Sequence, residues 1–385
     1  MAGGSFSSAV LLLLNMAGAL FTPRGALPPA PAGVDATAGG SGDGDVDFFF
    51  FPFLVLYKSG RVRRFMGTDT VPASTDPATG VASRDVVLDD ATAGLAVRLY
   101  LPSLTPNCSS AGTTDGDGGG ERLPLVVFYH GGAFVTESAF SPTYHRYLNA
   151  LASRARVLVV SVEYHLAPEH RLPAAYDDAW AALRWALASA LPGRPAGADP
   201  WLSRHADPAR LFLAGDSAGG NIAHNMAMRA GQEGLGSGAA AIRGLALLDP
   251  YFWGSRPVPS ETRDEGTRRW RERTWGFVCA GRYGVDDPVI NPVAMPPEEW
   301  RRLAGARVLV TVAGLDALGA RGRAYVHALR ASGWRGEAEL YETPGENHVY
   351  FLDKPDSEKA VREMEVVVAF INGGQGSSTA SRMDA

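Results

Sequence analysis

The sequence predicts a doubly wound α/β fold, a mostly parallel sheet with helices on both faces. Three observations predict it. Near-continuous apolar runs such as Leu125–Tyr129, Val157–Val162 and Val308–Ala313 recur along the chain. Helix-length stretches separate them, and glycine-containing turns directly follow two of them. Strands buried on both faces lose the polar-apolar alternation of a one-sided sheet, and a parallel sheet between helices produces such strands.

Taken in order, Asp85–Asp89 and Leu95–Tyr100 show the short alternation of edge strands. Leu125–Tyr129, Val157–Val162, Leu211–Ala214, Leu245–Leu248 and Val308–Ala313 then read as buried strands, and Ala338–Thr343 as a further one. Between and after them, Ala179–Leu191, Ala218–Ala230, Arg321–Ser332 and Glu358–Phe370 read as helices. Ser255–Arg282 breaks the alternation, carries Trp270 and Trp275 among many charges, and is a candidate cap over the sheet edge. The run Phe48–Phe51, followed by Pro52-Phe53-Leu54, is too apolar to remain in water and is expected to pack over the main domain. Pro23–Asp47 reads as a disordered leader, Ser109–Glu121 as a loop, and Gln375–Ala385 as a polar tail. The expected division is therefore a leader or targeting segment over 1–45, one domain over 46–372 with cap segments at about 46–66 and 255–285, and a tail over 373–385.

Composition excludes several functions. The 385 residues are 46% hydrophobic and 20% charged with a formal net charge of -5, which gives no electrostatic footprint for nucleic acid. Cys108 and Cys279 are too few for a disulfide framework or a Cys-rich zinc site, and they read as free thiols. No metal or cofactor is expected. The apolar run Val10–Leu14 is far short of the roughly 20 residues that span a bilayer, so no stable membrane insertion is expected. No Lys or Arg precedes that run, which favours a cytoplasmic protein. The alternative is export, if residues 1–19 act as a signal peptide; only then would the Asn107-Cys108-Ser109 sequon matter.

The chemistry begins at Gly215-Asp216-Ser217-Ala218-Gly219, a G-x-S-x-G sequence between a buried-type strand and a helix. A strand turning sharply into a helix holds its serine in a strained, exposed conformation that only small neighbours permit. The helix amino terminus then points its N–H groups at the site where negative charge develops. Ser217 is the candidate nucleophile. Upstream, His130-Gly131-Gly132-Ala133-Phe134 follows another strand. Bare backbone at Gly131 and Gly132, with Ala218, would supply oxyanion donors, each contributing about 2.7–4 kcal/mol to the transition state. His130 is expected to hold this loop rather than to act as a base.

In this type of fold the triad follows the order Ser, acid, His. Of the eight histidines, His327 and His348 come late enough to follow an acid at Asp316. His327 lies within the helix Arg321–Ser332, whereas His348 sits in Gly345-Glu346-Asn347-His348, a loop at the carboxyl end of a strand. Ligand sites of open α/β sheets lie at those ends, so His348 is the candidate base. Two acids remain open: Asp316, after Val308–Ala313, and Asp249, directly after Leu245–Leu248 and followed by Pro250, where it could simply shape a turn.

At this point the chain resembles the plant carboxylesterases of the hormone-sensitive-lipase-like branch of the α/β-hydrolases. The likeness rests on His130-Gly131-Gly132, Tyr164-His165-Leu166-Ala167-Pro168-Glu169 and Gly215-Asp216-Ser217-Ala218-Gly219-Gly220-Asn221. It continues in Gly314-Leu315-Asp316, Ser332-Gly333-Trp334 and Gly345-Glu346-Asn347-His348, and it covers about residues 45–372. It implies an α/β-hydrolase fold with an N-terminal plus inserted helical cap, the triad Ser217, Asp316 and His348, and no cofactor. Three departures stand out: Ala133 where a third glycine often occurs, His165 where arginine is usual, and Asp249 where histidine is common.

The expected activity is hydrolysis of small carboxylic esters through an acyl-enzyme. Phe134 and Trp253 are expected to line an apolar pocket for short or aromatic esters. Related machinery offers two enzymatic alternatives, a 2-hydroxyisoflavanone dehydratase-like elimination and transacylation. A gibberellin-receptor-like hormone binder is the non-catalytic alternative, and the presence of His348 weighs against it. Oligomeric state is not legible in the sequence.

Overall fold

A computed structural model describes residues 45–88, 94–104, 122–191, 198–236 and 240–373. Residues 1–44 of the expected leader, the Asn107-Cys108-Ser109 sequon, the Ser109–Glu121 loop and the tail from residue 374 lie outside the described residues. Val46 and Asp47, expected to end a disordered leader, instead open a strand, because they run into the apolar Phe48–Phe50 segment that pairs with Leu54–Tyr57.

Among the described residues, eleven strands form two sheets. The main one has eight strands: β4 (Ala82–Val87), β5 (Ala96–Leu101), β6 (Leu123–Tyr129), β7 (Leu158–Glu163), β8 (Ala206–Asp216), β9 (Ile242–Leu248), β10 (Arg307–Ala313) and β11 (Glu337–Thr343). Its spatial order is β11-β10-β9-β8-β6-β7-β5-β4. From β7 to β11 every pairing is parallel, and β4 and β5 add an antiparallel edge. All seven residues of β6 are buried, as a strand covered on both faces requires.

Helices α1 (Pro142–Ala155), α2 (Ala174–Ala190), α3 (Pro200–His205), α4 (Ala218–Glu233), α5 (Glu265–Cys279), α6 (Gly319–Ala331), α7 (Tyr350–Asp353) and α8 (Glu358–Ile371) complete the described elements, with two short 3₁₀ turns. Two apolar clusters form the core. One holds Leu125, Val127, Leu211, Leu213, Ile222 and Tyr325, with α2, α4 and α6. The other holds Val126, Phe128, Phe212, Leu309 and Val367, with α1 and α8. Adjacent residues of β6 fall in different clusters because successive side chains leave a strand on opposite faces.

Helix α1 was not anticipated from the sequence. Pro142 starts it without cost, since the first helical N–H has no intrahelical partner. The N-terminal cap also differs from the helical form implied by the resemblance. β1 (Val46–Phe50), β2 (Leu54–Tyr57) and β3 (Val62–Arg64) make a three-stranded antiparallel sheet. Its aromatic residues need cover, and α5 supplies it. Phe48 stacks on Phe277 at 4.1 Å between ring centres and lies 6.3 Å from Trp270. Arg64 pins this sheet to the main domain, donating to the Val135 and Ala167 carbonyls and forming a bidentate pair with Glu169.

Parallel register decides where the chemistry falls. Tyr129 lies beside Gly215, Asp216 beside Leu248, Leu248 beside Thr311, and Ala313 beside Thr343. The segments after β6, β8, β9, β10 and β11 therefore emerge side by side at one edge of the sheet.

Candidate active site

Ser217 occupies the turn between β8 and α4 with φ 50 and ψ -116, a backbone region that non-glycine residues adopt only when the surroundings impose it. Its N–H donates to the Leu248 carbonyl at 2.9 Å, and its own carbonyl accepts from Asn221 and Tyr251. A Cβ at Gly219 would collide with the Tyr129 and His130 carbonyls, so only glycine lets α4 approach β6 this closely.

His348 lies past β11. Its Nε2 is 2.9 Å from Ser217 Oγ and its Nδ1 is 2.8 Å from Asp316 Oδ2. The second Asp316 oxygen accepts from the Leu318 N–H at 2.8 Å, which fixes the carboxylate plane. The acid and histidine loops are bound to each other, Gly314 N–H donating to the Thr343 carbonyl and Leu315 N–H to the Glu346 carbonyl. Burial disfavours the imidazolium of His348. The Asp316 carboxylate, aided by Asp249 and Asp216, outweighs it and raises the pKa to about 9. His327 is exposed on α6, away from this contact.

Asp249 is the residue whose part the sequence did not disclose. It is buried, with φ 44. One of its oxygens accepts from the Ala313 N–H and the other from the Val349 N–H, both at 2.7 Å. It therefore ties the end of the acid's strand to the residue after the base. Burial and the neighbouring Asp316 charge push its carboxyl up, while the Val349 N–H opposes them. Ligand-type atoms of Asp249, Asp316 and His348 converge within 4.8 Å. Those Asp249 oxygens and His348 Nδ1 are already spent on the contacts just described.

The glycine loop corrects one expectation. The Gly131 N–H donates to the Tyr144 hydroxyl at 2.8 Å, and that hydroxyl donates to Asp216 Oδ2 at 2.9 Å. The Gly131 peptide is turned inward, beneath the nucleophile turn, and is not available as an oxyanion donor. Gly132 at φ 96 and Ala133 at φ 54 reverse the chain, and neither N–H has a partner among the described residues. Ala218, at the first position of α4, completes this set of donors. A Cβ at Gly132 would collide with the Thr136 carbonyl. His130 has the structural part expected of it. Burial lowers its pKa to about 4. Its Nδ1 lies 2.8 Å from the Gly131 carbonyl, which can only accept, so that nitrogen carries the proton. Tyr164 stacks on the His130 ring and donates to the His130 and Gly131 carbonyls.

Asp216, beside the nucleophile, belongs to this supporting network. Burial raises its pKa to about 7 against the pull of Tyr144. Phe134 lies beside Tyr176, Tyr251 and Trp275, with ring centres 6.0–6.3 Å away. Trp253 differs from the apolar wall expected of it: the guanidinium groups of Arg268, Arg271 and Arg321 surround its ring at 4.8, 4.8 and 5.6 Å.

A mostly parallel sheet with a serine elbow, a downstream acid and a last-loop histidine at its carboxyl edge is the architecture of the α/β-hydrolases. A family model described as an alpha/beta hydrolase fold matches residues 126–352. Among curated proteins, the chain is 44% identical to tuliposide A-converting enzyme 1, chloroplastic, of Tulipa gesneriana, over 84% of this chain and 77% of that protein. It is 43% identical to 2-hydroxyisoflavanone dehydratase of Glycyrrhiza echinata, over 83% and 94% respectively. It is 42% identical to probable carboxylesterase 13 of Arabidopsis thaliana, over 84% and 96%. Among solved structures, an esterase of Pyrobaculum calidifontis superposes with a TM-score of 0.57 at 27% identity, covering 76% of this chain and 84% of that one. The chain belongs to the α/β-hydrolase family, within its plant carboxylesterase branch.

Proposed function

We propose that the chain is a serine carboxylesterase acting on small carboxylic esters, with Ser217 as nucleophile, His348 as general base and acid, and Asp316 as the acid that orients and charges the imidazole. The observation that carries this reading is the continuous contact Ser217 Oγ–His348 Nε2–His348 Nδ1–Asp316 Oδ2, at 2.9 and 2.8 Å, built on a strained serine turn. His348 Nε2 takes the Ser217 proton as Oγ bonds to the ester carbonyl carbon. The resulting oxyanion accepts from the N–H groups of Gly132, Ala133 and Ala218. Collapse expels the alcohol, which takes the proton from His348. Water, activated by the same imidazole, then releases the acid and restores Ser217.

Identity to the dehydratase, 43% against 42% for the carboxylesterase, supports elimination by the same machinery as a second reading. The discriminating experiment uses purified protein with 4-nitrophenyl esters of graded chain length and with a 2-hydroxyisoflavanone, each beside Ser217→Ala and His348→Ala. Ester turnover lost in both variants is the expected result. Ester turnover retained by Ser217→Ala would end the mechanism, and turnover of the isoflavanone alone would favour elimination.

No helix of the described residues is long and apolar enough to cross a membrane. The cytoplasm is our reading for the protein's location, although the tulip relatives are named chloroplastic. A fluorescent fusion of the full chain, found in plastids, would overturn it.

A further inference from the structure

We propose that Arg271 and Trp253 form a carboxylate-binding subsite beside the ester-cleaving centre, so that the preferred substrates are esters carrying a second, free carboxylate. This inference rests on the esterase reading above and adds a substrate class to it.

Three guanidinium groups crowd the Trp253 indole, and they are not equivalent. Arg321 is paired with Glu261 at 2.9 Å and donates to the Gly254 and Arg256 carbonyls. Arg268 lies 3.6 Å from the same Glu261 and donates to the Gly254 and Ser255 carbonyls. These two cations have structural employment in holding the segment after β9. Arg271 has no ion pair and no hydrogen-bond acceptor among the described residues, and its Nε is buried without a partner. The Trp253 Nε1 is likewise buried and unpartnered. Two orphaned donors therefore sit on side chains that touch one another, the Arg271 guanidinium carbon lying 4.8 Å from the indole centre. Buried donors left unpaired are rare in folded proteins, and each calls for an acceptor.

The place of this pair points to substrate. Trp275, one turn on from Arg271 along the same face of α5, has its ring 6.5 Å from Tyr251 and 6.3 Å from Phe134. The Tyr251 N–H donates to the Ser217 carbonyl at 2.9 Å, and its ring lies 6.3 Å from Phe134, just beyond the glycine loop. The face of α5 that carries Arg271 therefore packs on the aromatic residues that border the glycine loop and the serine turn. A carboxylate offers two acceptor oxygens to two N–H groups and neutralises the one cation of the cluster that Glu261 does not pair. A neutral alkyl chain would leave both donors orphaned.

The test compares kcat/KM for 4-nitrophenyl hydrogen glutarate and for 4-nitrophenyl pentanoate, which lacks the free carboxylate. Wild type is expected to favour the glutarate half-ester by about tenfold or more, the size of one hydrogen bond to a charged group. Arg271→Gln should remove that preference, chiefly through KM; Arg271→Lys should keep part of it. No preference in wild type, or one unchanged in Arg271→Gln, overturns the proposal. Calorimetry with monomethyl glutarate on Ser217→Ala and on Ser217→Ala/Arg271→Gln decides it independently of turnover. Binding lost with the arginine supports the subsite. Equal binding, or none, overturns it even if every ester proves inert and the esterase reading fails separately.

Discussion

Replacing Asp249 by asparagine tests whether the triad is held by a carboxylate that belongs to neither its acid nor its base. Both Asp249 oxygens accept backbone N–H groups at 2.7 Å, one from Ala313 and one from Val349. Asparagine has almost the same volume but only one acceptor oxygen; its NH₂ must face one of the two N–H groups. One hydrogen bond, about 0.5–1.5 kcal/mol, is lost, and a buried N–H is left opposed by a donor, about 1–3 kcal/mol more. A destabilisation of about 2–4 kcal/mol follows, which lowers Tm by about 3–6 °C for a domain of this size. Activity should suffer more than stability. Val349 adjoins His348, and Ala313 closes the turn that presents Asp316 by accepting the Asp316 N–H. A shift of about 1 Å in such a constellation costs on the order of 10² in rate. Differential scanning calorimetry and steady-state kinetics on a 4-nitrophenyl ester measure the two effects. An Asp249→Asn protein melting within about 1 °C of wild type, with kcat/KM within about threefold, would refute the clamp.

Four further outcomes are expected. Only neutral His348 can take the serine proton, and its pKa is raised to about 9 by Asp316 against the effect of burial; kcat/KM should climb as pH rises through that value, and in Asp316→Asn the limb should move to lower pH while the maximum falls by about 10⁴. Because this pKa is raised on folding, the stability His348 contributes is fully present below its unfolded value of about 6.5 and is lost as pH rises towards 9; melting curves of Ser217→Ala and Ser217→Ala/His348→Gln should therefore differ more at low pH than at high. Gly132→Ala should lower kcat by about 10²–10³ with KM little changed, since a Cβ there meets the Thr136 carbonyl, and an unchanged kcat would remove Gly132 from the oxyanion donors. Tyr144→Phe leaves the Gly131 N–H without its acceptor and Asp216 without its donor, a loss of about 2–4 kcal/mol by chemical denaturation, and a loss below 0.5 kcal/mol would show that water replaces the hydroxyl there.

The sequence by itself determined the sheet and most of its helices, because burial on both faces writes strands as unbroken apolar runs and α2, α4, α6 and α8 have helical length between them. It also determined Ser217 and His348, since a G-x-S-x-G elbow and a last-strand loop are local features with fixed chain order. The tertiary structure alone decided three other matters. Asp316 and Asp249 both end strands and look alike in sequence; only the packing of β9, β10 and β11 gives one to the imidazole and the other to two backbone N–H groups. Gly131 and Gly132 are identical neighbours, and the fold separates them because Tyr144, thirteen positions on in an unanticipated helix, captures the first N–H. Trp253 reads as an apolar wall until Arg268 and Arg271 of α5 and Arg321 of α6 arrive around it. Each case turns on which hydrogen-bonding or charged group from a distant segment reaches a given atom first. Periodicity and motif spacing carry no record of such encounters.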